Sequence, residues 1–383
     1  MKNRSALQFV LIIGIVNFFA DFTYEGARGI VGPFLGSLGA SAAIIGFVAG
    51  LGELLGYGLR SVAGYFADKS HRHWAIAFGG YAINMLAVPA LALAGQWPLA
   101  SGLVVAERVG RGIRKPTVEA MLSYAGKSIG AGWVFGLNEA LDQAGATIGP
   151  LLMALILYLN RGFRTGFGVL LIPAVCCLAI LVAARLLHPR PHELEEGAGH
   201  ALATKNLTRA YWIYLAAGAL IAAGFADFAL IGFHFHKANI VSADLIPVFY
   251  AVAMASSALA SIHSVVFSTG SANISLFAFV ISAAAAPFVF LGPTVFALIG
   301  MIFWGIGMSA QGSLFQAVLT GVIPPQKRST AFGLFDTGYG IPWFVGSAAM
   351  GLLYDKSVVA AAIFSMVLQL AAIPVIFIAN RQR

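Results

Sequence analysis

The sequence predicts an all-α membrane protein in which twelve transmembrane helices form two pseudo-symmetric six-helix bundles. Of its 383 residues, 59% are hydrophobic and only 10% are charged, and the mean hydropathy of +0.86 lies far above the range of soluble domains. Apolar runs of about 20 residues, each long enough to cross a hydrocarbon core as a helix, recur along the whole chain. A polar segment and a weak internal repeat divide these runs into two halves.

The twelve spans follow from the apolar runs. We place them at about residues 7–35, 42–66, 74–95, 98–122, 131–158, 165–187, 209–236, 243–267, 273–291, 294–322, 331–353 and 357–379. The first run carries Asp21, Glu25 and Arg28 and exceeds the length of a signal-peptide core, so we expect this helix to be retained. An even number of spans places both chain ends on one side of the membrane.

Lysine and arginine residues set the orientation, because the cytoplasmic loops of membrane proteins carry an excess of both. With the N terminus in the cytoplasm, fourteen of them fall in cytoplasmic segments, and only Arg161, Arg164, Lys237 and Lys356 fall outside. We therefore expect cytoplasmic termini and a location in the cell inner (cytoplasmic) membrane. This distribution explains most of the net charge of +8, so a nucleic-acid partner is not required.

A cytoplasmic linker is predicted at residues 188–206, between an N-terminal bundle (1–187) and a C-terminal bundle (207–383). The halves show traces of duplication. FADF occurs at 19–22 and at 225–228, while VEAMLS (118–123) and FGLNE (135–139) match FQAVLT (315–320) and FGLFD (332–336). The adjacent Cys176 and Cys177 cannot join distant loops, and we expect them to fill space between helices.

Three motifs resemble signatures of the major facilitator superfamily, a family of secondary transporters. GYFADKSHRHW (64–74) resembles its loop 2/3 signature, although His71 replaces the usual glycine. LVVAERVGRGIR (103–114) is similar to the fourth-span signature, with Arg108 followed by Gly112. GATIGP (145–150) matches the core of the fifth-span signature of antiporters but lacks its trailing glycine pair. The resemblance implies a drug/proton antiporter-like protein that is monomeric and works by alternating access.

The motifs also imply which residues control conformation. Asp68 lies at a cytoplasmic helix end, where it can accept hydrogen bonds from a neighbouring helix N terminus and release them. Glycines four residues apart allow close helix packing, and a proline favours a bend. The expected conformational latch comprises Gly64, Asp68, Arg72, Arg111, Gly145, Gly149 and Pro150.

Charged residues inside the spans are costly unless they are paired or hydrated, and they concentrate in the N-terminal half. Asp21, Glu25 and Arg28 share one helical face, and Glu107 precedes Arg111 by an ion-pair spacing. We expect Arg108 to be the main counter-charge for Asp21, Glu25 and Glu107, and a moving arginine to switch a carboxylate between proton capture and release. The predicted proton-coupling residues are Asp21, Glu25, Arg108, Glu139 and Asp142. For Glu53, Arg60, Glu107 and Arg114, purely structural pairing within the N-terminal bundle is the alternative.

The C-terminal half offers mainly uncharged polar and aromatic groups, which suit an organic substrate. The predicted substrate-binding residues are Tyr24, Arg28, Asn138, Asp227, Gln311, Gln316, Asp336, Tyr339 and Trp343, although Trp343 is equally consistent with packing. The two FADF aspartates are expected to differ, because Asp227 has no charged neighbour on its helix. We expect Asp21 to be coupled to a moving charge and Asp227 to be protonated and to act as a hydrogen-bond donor.

Other classes of protein are less consistent with the sequence. A membrane-embedded enzyme needs a nucleophile with its base or a metal set, and the sequence contains no HExxH motif and no Cys/His cluster. We expect neither enzymatic activity nor a cofactor. A divalent metal exporter is an alternative because His234 and His236 flank Phe235, but side chains two apart on a helix point in different directions. Proton symport that takes up an organic anion is a second alternative, and GATIGP favours export by antiport.

Overall fold

The computed structural model describes residues 2–70, 72–190, 209–266, 272–311 and 328–380, and every regular element in these ranges is helical. The helices are α1 Lys2–Ser37, α2 Ala42–Ser70, α3 His73–Ala90, α4 Trp97–Ile129, α5 Ala131–Tyr158, α6 Gly162–Val169, α7 Leu171–Leu187, α8 Arg209–Gly224, α9 Phe228–Lys237, α10 Ile246–Val266, α11 Ala272–Leu291, α12 Thr294–Ser309, α13 Arg328–Lys356 and α14 Val358–Asn380. A 3-10 turn, Leu91–Leu93, follows α3.

These helices confirm the predicted all-α membrane architecture. Counted with α6 and α7 as one interrupted span and α8 and α9 as another, the described helices make twelve spans, and each overlaps a predicted one. Within the described ranges, seven helical segments are long and apolar enough to cross a membrane by length and composition. The predicted boundaries agree with most helix ends to within a few residues, because a helix that spans lipid must be apolar over its whole length.

The contacts of the chain define two compact units. The first unit contains residues up to Ile30 together with Leu55 to the end of α7, and the second contains Val31–Leu54 together with α8 to α14. The turn between α1 and α2, with the helix ends that flank it, therefore groups with the later half of the chain. Most of the predicted linker, from residue 191 onward, lies outside the described residues.

The core of the first unit is built by α1, α3, α4, α5 and α7. Phe9, Trp74, Tyr81 and Met121 are among its buried side chains. Cys177 lies in this core as a free thiol and donates to the carbonyl oxygen of Val16, while Cys176 is half-buried. The expectation that a cysteine fills space between helices is confirmed for Cys177.

The seventh span is interrupted where the sequence predicted a continuous helix. Residues 225–227 are not helical, and the Asp227 carboxylate accepts a hydrogen bond from the backbone N–H of Ala229 at 2.9 Å, which caps the N terminus of α9. Other helices satisfy the backbone carbonyls that the interruption leaves unpaired. Gln369 donates to the carbonyl of Gly224 at 3.1 Å, and the Trp304 indole donates to that of Ala226 at 2.8 Å. Asp227 thus has a structural role that the sequence did not reveal.

Candidate functional site

The candidate site lies in the first unit, where α1 packs very closely against α5. A Cβ atom added at Gly145 would lie 2.9 Å from the backbone nitrogen of Phe22, and one added at Gly149 would lie 3.0 Å from that of Gly26. Only glycine allows the two backbones to approach this closely. The GATIGP motif therefore fixes α1 against α5 at the level of Asp21 and Glu25.

A second close contact joins α3 to α4. A Cβ atom at Gly80 would lie 2.9 Å from the carbonyl oxygen of Gly110, and one at Gly110 would lie 2.9 Å from the Cα atom of Asn84. This contact places short polar side chains of α3 within reach of the charged residues on α4.

Asp21 of α1 and Arg114 of α4 form a buried ion pair. The distance from Nη2 of Arg114 to Oδ1 of Asp21 is 3.2 Å, and the two side chains are 6% and 13% exposed. The Arg114 guanidinium also lies over the ring of Tyr81, with its central carbon 4.7 Å from the ring centroid. Ionic groups buried at membrane depth are expensive unless paired, and this pair satisfies both charges.

Asn84 connects this pair to a second carboxylate. Its amide donates to Oε1 of Glu107 at 2.9 Å, and its carbonyl oxygen accepts from Nε of Arg114 at 3.1 Å. Asn84 is completely buried, so leaving any of these polar atoms without its hydrogen-bond partner would destabilise the fold. The side chain therefore fixes the orientation of both Glu107 and Arg114.

Asn17 extends the network from Arg114 to α5. It accepts from Nη1 of Arg114 at 3.4 Å and from the Tyr81 hydroxyl, and its own amide donates to Asn138 at 2.7 Å. Asn138 in turn donates to Asp142 at 3.1 Å. We call Asn17, Asp21, Tyr81, Asn84, Glu107, Arg114, Asn138 and Asp142 the polar network; it joins α1, α3, α4 and α5.

Several predicted residues lie beside the network. Glu25 and Arg28 face each other at 3.8 Å, in agreement with their predicted common helical face. Arg111 stacks on Tyr24, with the guanidinium carbon 4.6 Å from the ring centroid. Glu139 is exposed and accepts from Gln143 at 2.9 Å, so its carboxylate is reached from the surface of the unit.

The structure corrects the predicted partner of Asp21. Nε of Arg108 lies 3.5 Å from Glu107, while the arginine that pairs with Asp21 is Arg114. Arg108 and Arg114 are six residues apart, which separates them by about 9 Å along the helix axis and places them on different faces. The predicted candidate-site set omitted Arg114, together with Asn17, Tyr81 and Asn84. An asparagine in an otherwise apolar span was the available signal for two of these.

In the second unit, the predicted substrate-binding residues of α13 form an aromatic row. Phe335 stacks on Tyr339 with ring centroids 6.0 Å apart, and the centroids of Tyr339 and Trp343 are 5.7 Å apart. The Tyr339 hydroxyl donates to Gln311, which is buried. Trp343 also contacts Phe225 beside the interruption of the seventh span. Gln316 lies outside the described residues, and Asp336 lies half-buried on α13.

The remaining latch residues and the histidines of the metal alternative are not part of the polar network. For the expected latch, Gly64 lies in α2 and Arg72 is exposed before α3, while the side chain of Asp68 lies outside the described residues. For the metal alternative, His234 is buried, and its Nδ1 lies 2.9 Å from the Tyr354 hydroxyl. Among the described residues, no group of three or more His, Cys, Asp or Glu side chains is placed to hold a metal ion.

Twelve spans with a polar network buried in one unit indicate a multi-pass membrane protein, and comparison with known proteins identifies the family. The model of the Major Facilitator Superfamily matches residues 13–347. An uncharacterized protein of Mycobacterium tuberculosis is 36% identical over 382 residues, which cover 97% of this chain and 93% of that protein. The chain therefore belongs to the major facilitator superfamily.

Solved structures share its fold at low sequence identity. A mutant of the nucleoside transporter NupG matches with a TM-score of 0.76 at 16% identity and covers 96% of this chain and 99% of its own. A peptide transporter, POT, in complex with sulfate matches with a TM-score of 0.77 at 14% identity and covers 100% of this chain and 97% of its own. The chain is a multi-pass membrane transporter of this fold.

Proposed function

We propose that the protein is a proton-coupled secondary active transporter that works by alternating access. The observation that carries the proposal is the Asp21–Arg114 ion pair inside the polar network. A carboxylate at membrane depth is stable as an anion only while a cation or hydrogen-bond donors face it. If Arg114 moves away, burial favours the protonated acid, so movement of one arginine can load or release a proton.

The remaining candidates fit this role by their positions. Asp142 is linked to Asp21 through Asn138, Asn17 and Arg114, and the exposed Glu139 lies one turn before it on α5. We propose that Glu139 and Asp142 exchange protons with water, while Glu25 and Arg108 bias the charge around Asp21.

We propose that the substrate is a small organic molecule held partly by the aromatic row of α13. Rings such as Tyr339 and Trp343 bind apolar or ring-bearing groups by stacking, and Gln311 supplies hydrogen bonds. The structural neighbours include a nucleoside transporter and a peptide transporter, which is consistent with an organic substrate. The proposed contacts from the other spans are Tyr24, Arg28, Asn138, Asp227, Gln316 and Asp336.

We propose export by antiport from the inner membrane by a monomer with cytoplasmic termini. The GATIGP motif supports this direction, because it matches the core of the fifth-span signature of antiporters, and its glycines hold α1 and α5 in close contact beside Asp21. Proton symport of an organic anion is the competing function, since Arg28 and Arg108 are buried in the first unit and can face an anion.

Flux in inverted membrane vesicles tests both coupling and direction. With the vesicle interior acidified, antiport predicts that labelled nucleosides or dipeptides accumulate inside, whereas symport predicts that preloaded compounds leave faster. Vesicles with the Asp21→Asn variant provide the control for coupling. Flux that does not respond to an imposed proton gradient in either direction would contradict the proposal.

A further inference from the structure

A carboxylate near the end of α13 closes the N terminus of α2. Oδ1 of Asp355 accepts from the backbone N–H of Ala42 at 3.2 Å, and Oδ2 accepts from that of Ala43 at 2.9 Å. These donors belong to the first turn of α2 and have no acceptor within their own helix. A negative charge at this position also complements the partial positive charge of the helix N terminus. The cap thus comes from a residue more than 300 positions away in the sequence.

The same parts of α2 and α13 lie in backbone contact. A Cβ atom at Gly50 would lie 2.9 Å from the Cα atom of Phe344, and one at Gly351 would lie 3.0 Å from that of Ala43. Beside these glycines the rings of Phe47 on α2 and Phe344 on α13 meet edge to face, with centroids 5.3 Å apart. The hydrogen bonds of Asp355 are the polar part of this contact.

The end of α13 is also tied to α9. Tyr354 lies next to Asp355, and its hydroxyl is 2.9 Å from Nδ1 of the buried His234. The ring of Phe233 on α9 would lie 2.7 Å from a Cβ atom at Gly36 of α1. Residues 31–54, which we call the hairpin, therefore rest on α9 and α13 within the second unit.

We propose that Asp355 is a releasable latch that holds the hairpin against α13, and that its release is a step of the transport cycle. The proposal rests on the proposed function. Both helices of the hairpin continue without a break into the first unit, so any movement of that unit during alternating access pulls on the hairpin. Asp355 is exposed, so water molecules can replace its two hydrogen bonds when the hairpin separates from α13. The same water molecules are displaced when the hairpin returns.

Hydrogen exchange of the purified full-length chain in nanodiscs tests the cap and needs no substrate. Asp355→Ala is expected to speed exchange in the first turn of α2 about tenfold or more, because two charge-assisted hydrogen bonds are lost. Asp244→Ala, which removes an acidic residue in the connection between α9 and α10, is the matched control and should leave this exchange unchanged. Unchanged exchange in Asp355→Ala overturns the proposal.

Pulsed EPR separates a latch from a purely local cap. Spin labels at the exposed Ser37 and Ser242, in a background with both native cysteines replaced, report the separation of the hairpin from the α9–α10 connection. We expect Asp355→Ala and the wedge variant Gly351→Ala to add a population at longer distance that the Asp244→Ala control lacks. Faster hydrogen exchange in the first turn of α2 without a change in the spin-label distance distribution would show that Asp355 only caps α2. That result would overturn the proposal of a latch. Failure of the proposed function would appear separately, as absent proton-linked flux in the unmodified protein.

Discussion

The guanidinium of Arg114 lies 3.2 Å from the carboxylate of Asp21 and is also hydrogen-bonded to Asn17 and Asn84. One arginine thus connects three partners from two helices, and each of its nitrogens has a distinct acceptor. A lysine could not reproduce this geometry, because its ammonium group is a single point of charge. The site therefore requires the arginine side chain itself and not only a positive charge.

We expect Asp21→Asn to abolish proton-driven transport while substrate binding is kept. Asparagine preserves the shape of the side chain but cannot take up and release a proton at this position. Gradient-driven flux in proteoliposomes, together with proton uptake by the purified protein, measures the change.

Asp227→Asn is the matched control for this experiment, since it makes the same substitution in the second copy of FADF. Asparagine caps a helix about as well as aspartate, so transport should be retained or only its affinity altered. Coupling that is lost in Asp227→Asn but kept in Asp21→Asn would reverse the assignment of the two aspartates.

Arg114→Ala should lower the free energy of unfolding by about 3–5 kcal/mol, because it leaves a buried carboxylate without its partner. The double variant Arg114→Ala with Asp21→Asn should be less destabilised than the sum of the two single variants. Thermal unfolding in detergent measures all three. Additive effects would show that the two side chains do not stabilise each other.

Arg108 and Arg114 give a contrast on the same helix. Arg108 contacts Glu107, whereas Arg114 contacts Asp21, so we expect Arg114→Lys to impair coupling more than Arg108→Lys. The ratio of gradient-driven flux to counterflow exchange separates coupling from substrate binding. Equal losses in the two variants would restore Arg108 to the role that the sequence predicted for it.

Gly149→Leu should disrupt the contact of α1 with α5 and inactivate the protein. A side chain at this position meets backbone atoms of Phe22 and Gly26, which cannot move aside, so overpacking costs about 1–3 kcal/mol or more. Gly136→Leu is the control on the same helix, because a Cβ atom there meets nothing within 4 Å. Melting temperature and flux should fall only in Gly149→Leu. Unchanged melting temperature and flux in Gly149→Leu would contradict close packing at this site.

The cap of α9 allows a separate test. Asp227→Ala removes the acceptor for the N–H of Ala229 and should cost about 1 kcal/mol, while Asp227→Asn should cost little. Melting temperatures of the two variants give the comparison. If alanine and asparagine are equally tolerated, the cap does not stabilise the interruption.

The sequence predicted the spans well because membrane crossing imposes one requirement, an apolar run of sufficient length, that composition alone reveals. It could not predict which charged residues meet. The spacing of Glu107 and Arg111 favoured a pair within α4, yet the closest partners of Glu107 include Asn84 from α3. The rotation and depth of one helix against another depend on glycine contacts such as that of Gly80 with Gly110. A single sequence does not show which of its many glycines make such contacts.

The interruption of the seventh span was missed for a related reason. FADF is continuous helix in α1 and a break between α8 and α9, so the four residues do not determine the backbone by themselves. The break depends on Gln369 and Trp304, which donate to the carbonyls that it exposes and lie on distant helices. Local propensity is overridden here by tertiary hydrogen bonds.

The interruption also gives the two copies of FADF different mechanical stiffness. Bending α1 at Asp21 would lengthen helical hydrogen bonds, whereas no backbone hydrogen bond of the described residues joins α8 to α9 across residues 225–227. Torsion imposed on the seventh span is therefore concentrated in a few backbone dihedral angles. One copy of FADF therefore lies in a continuous helix that carries charge, and the other lies at a joint between two helices.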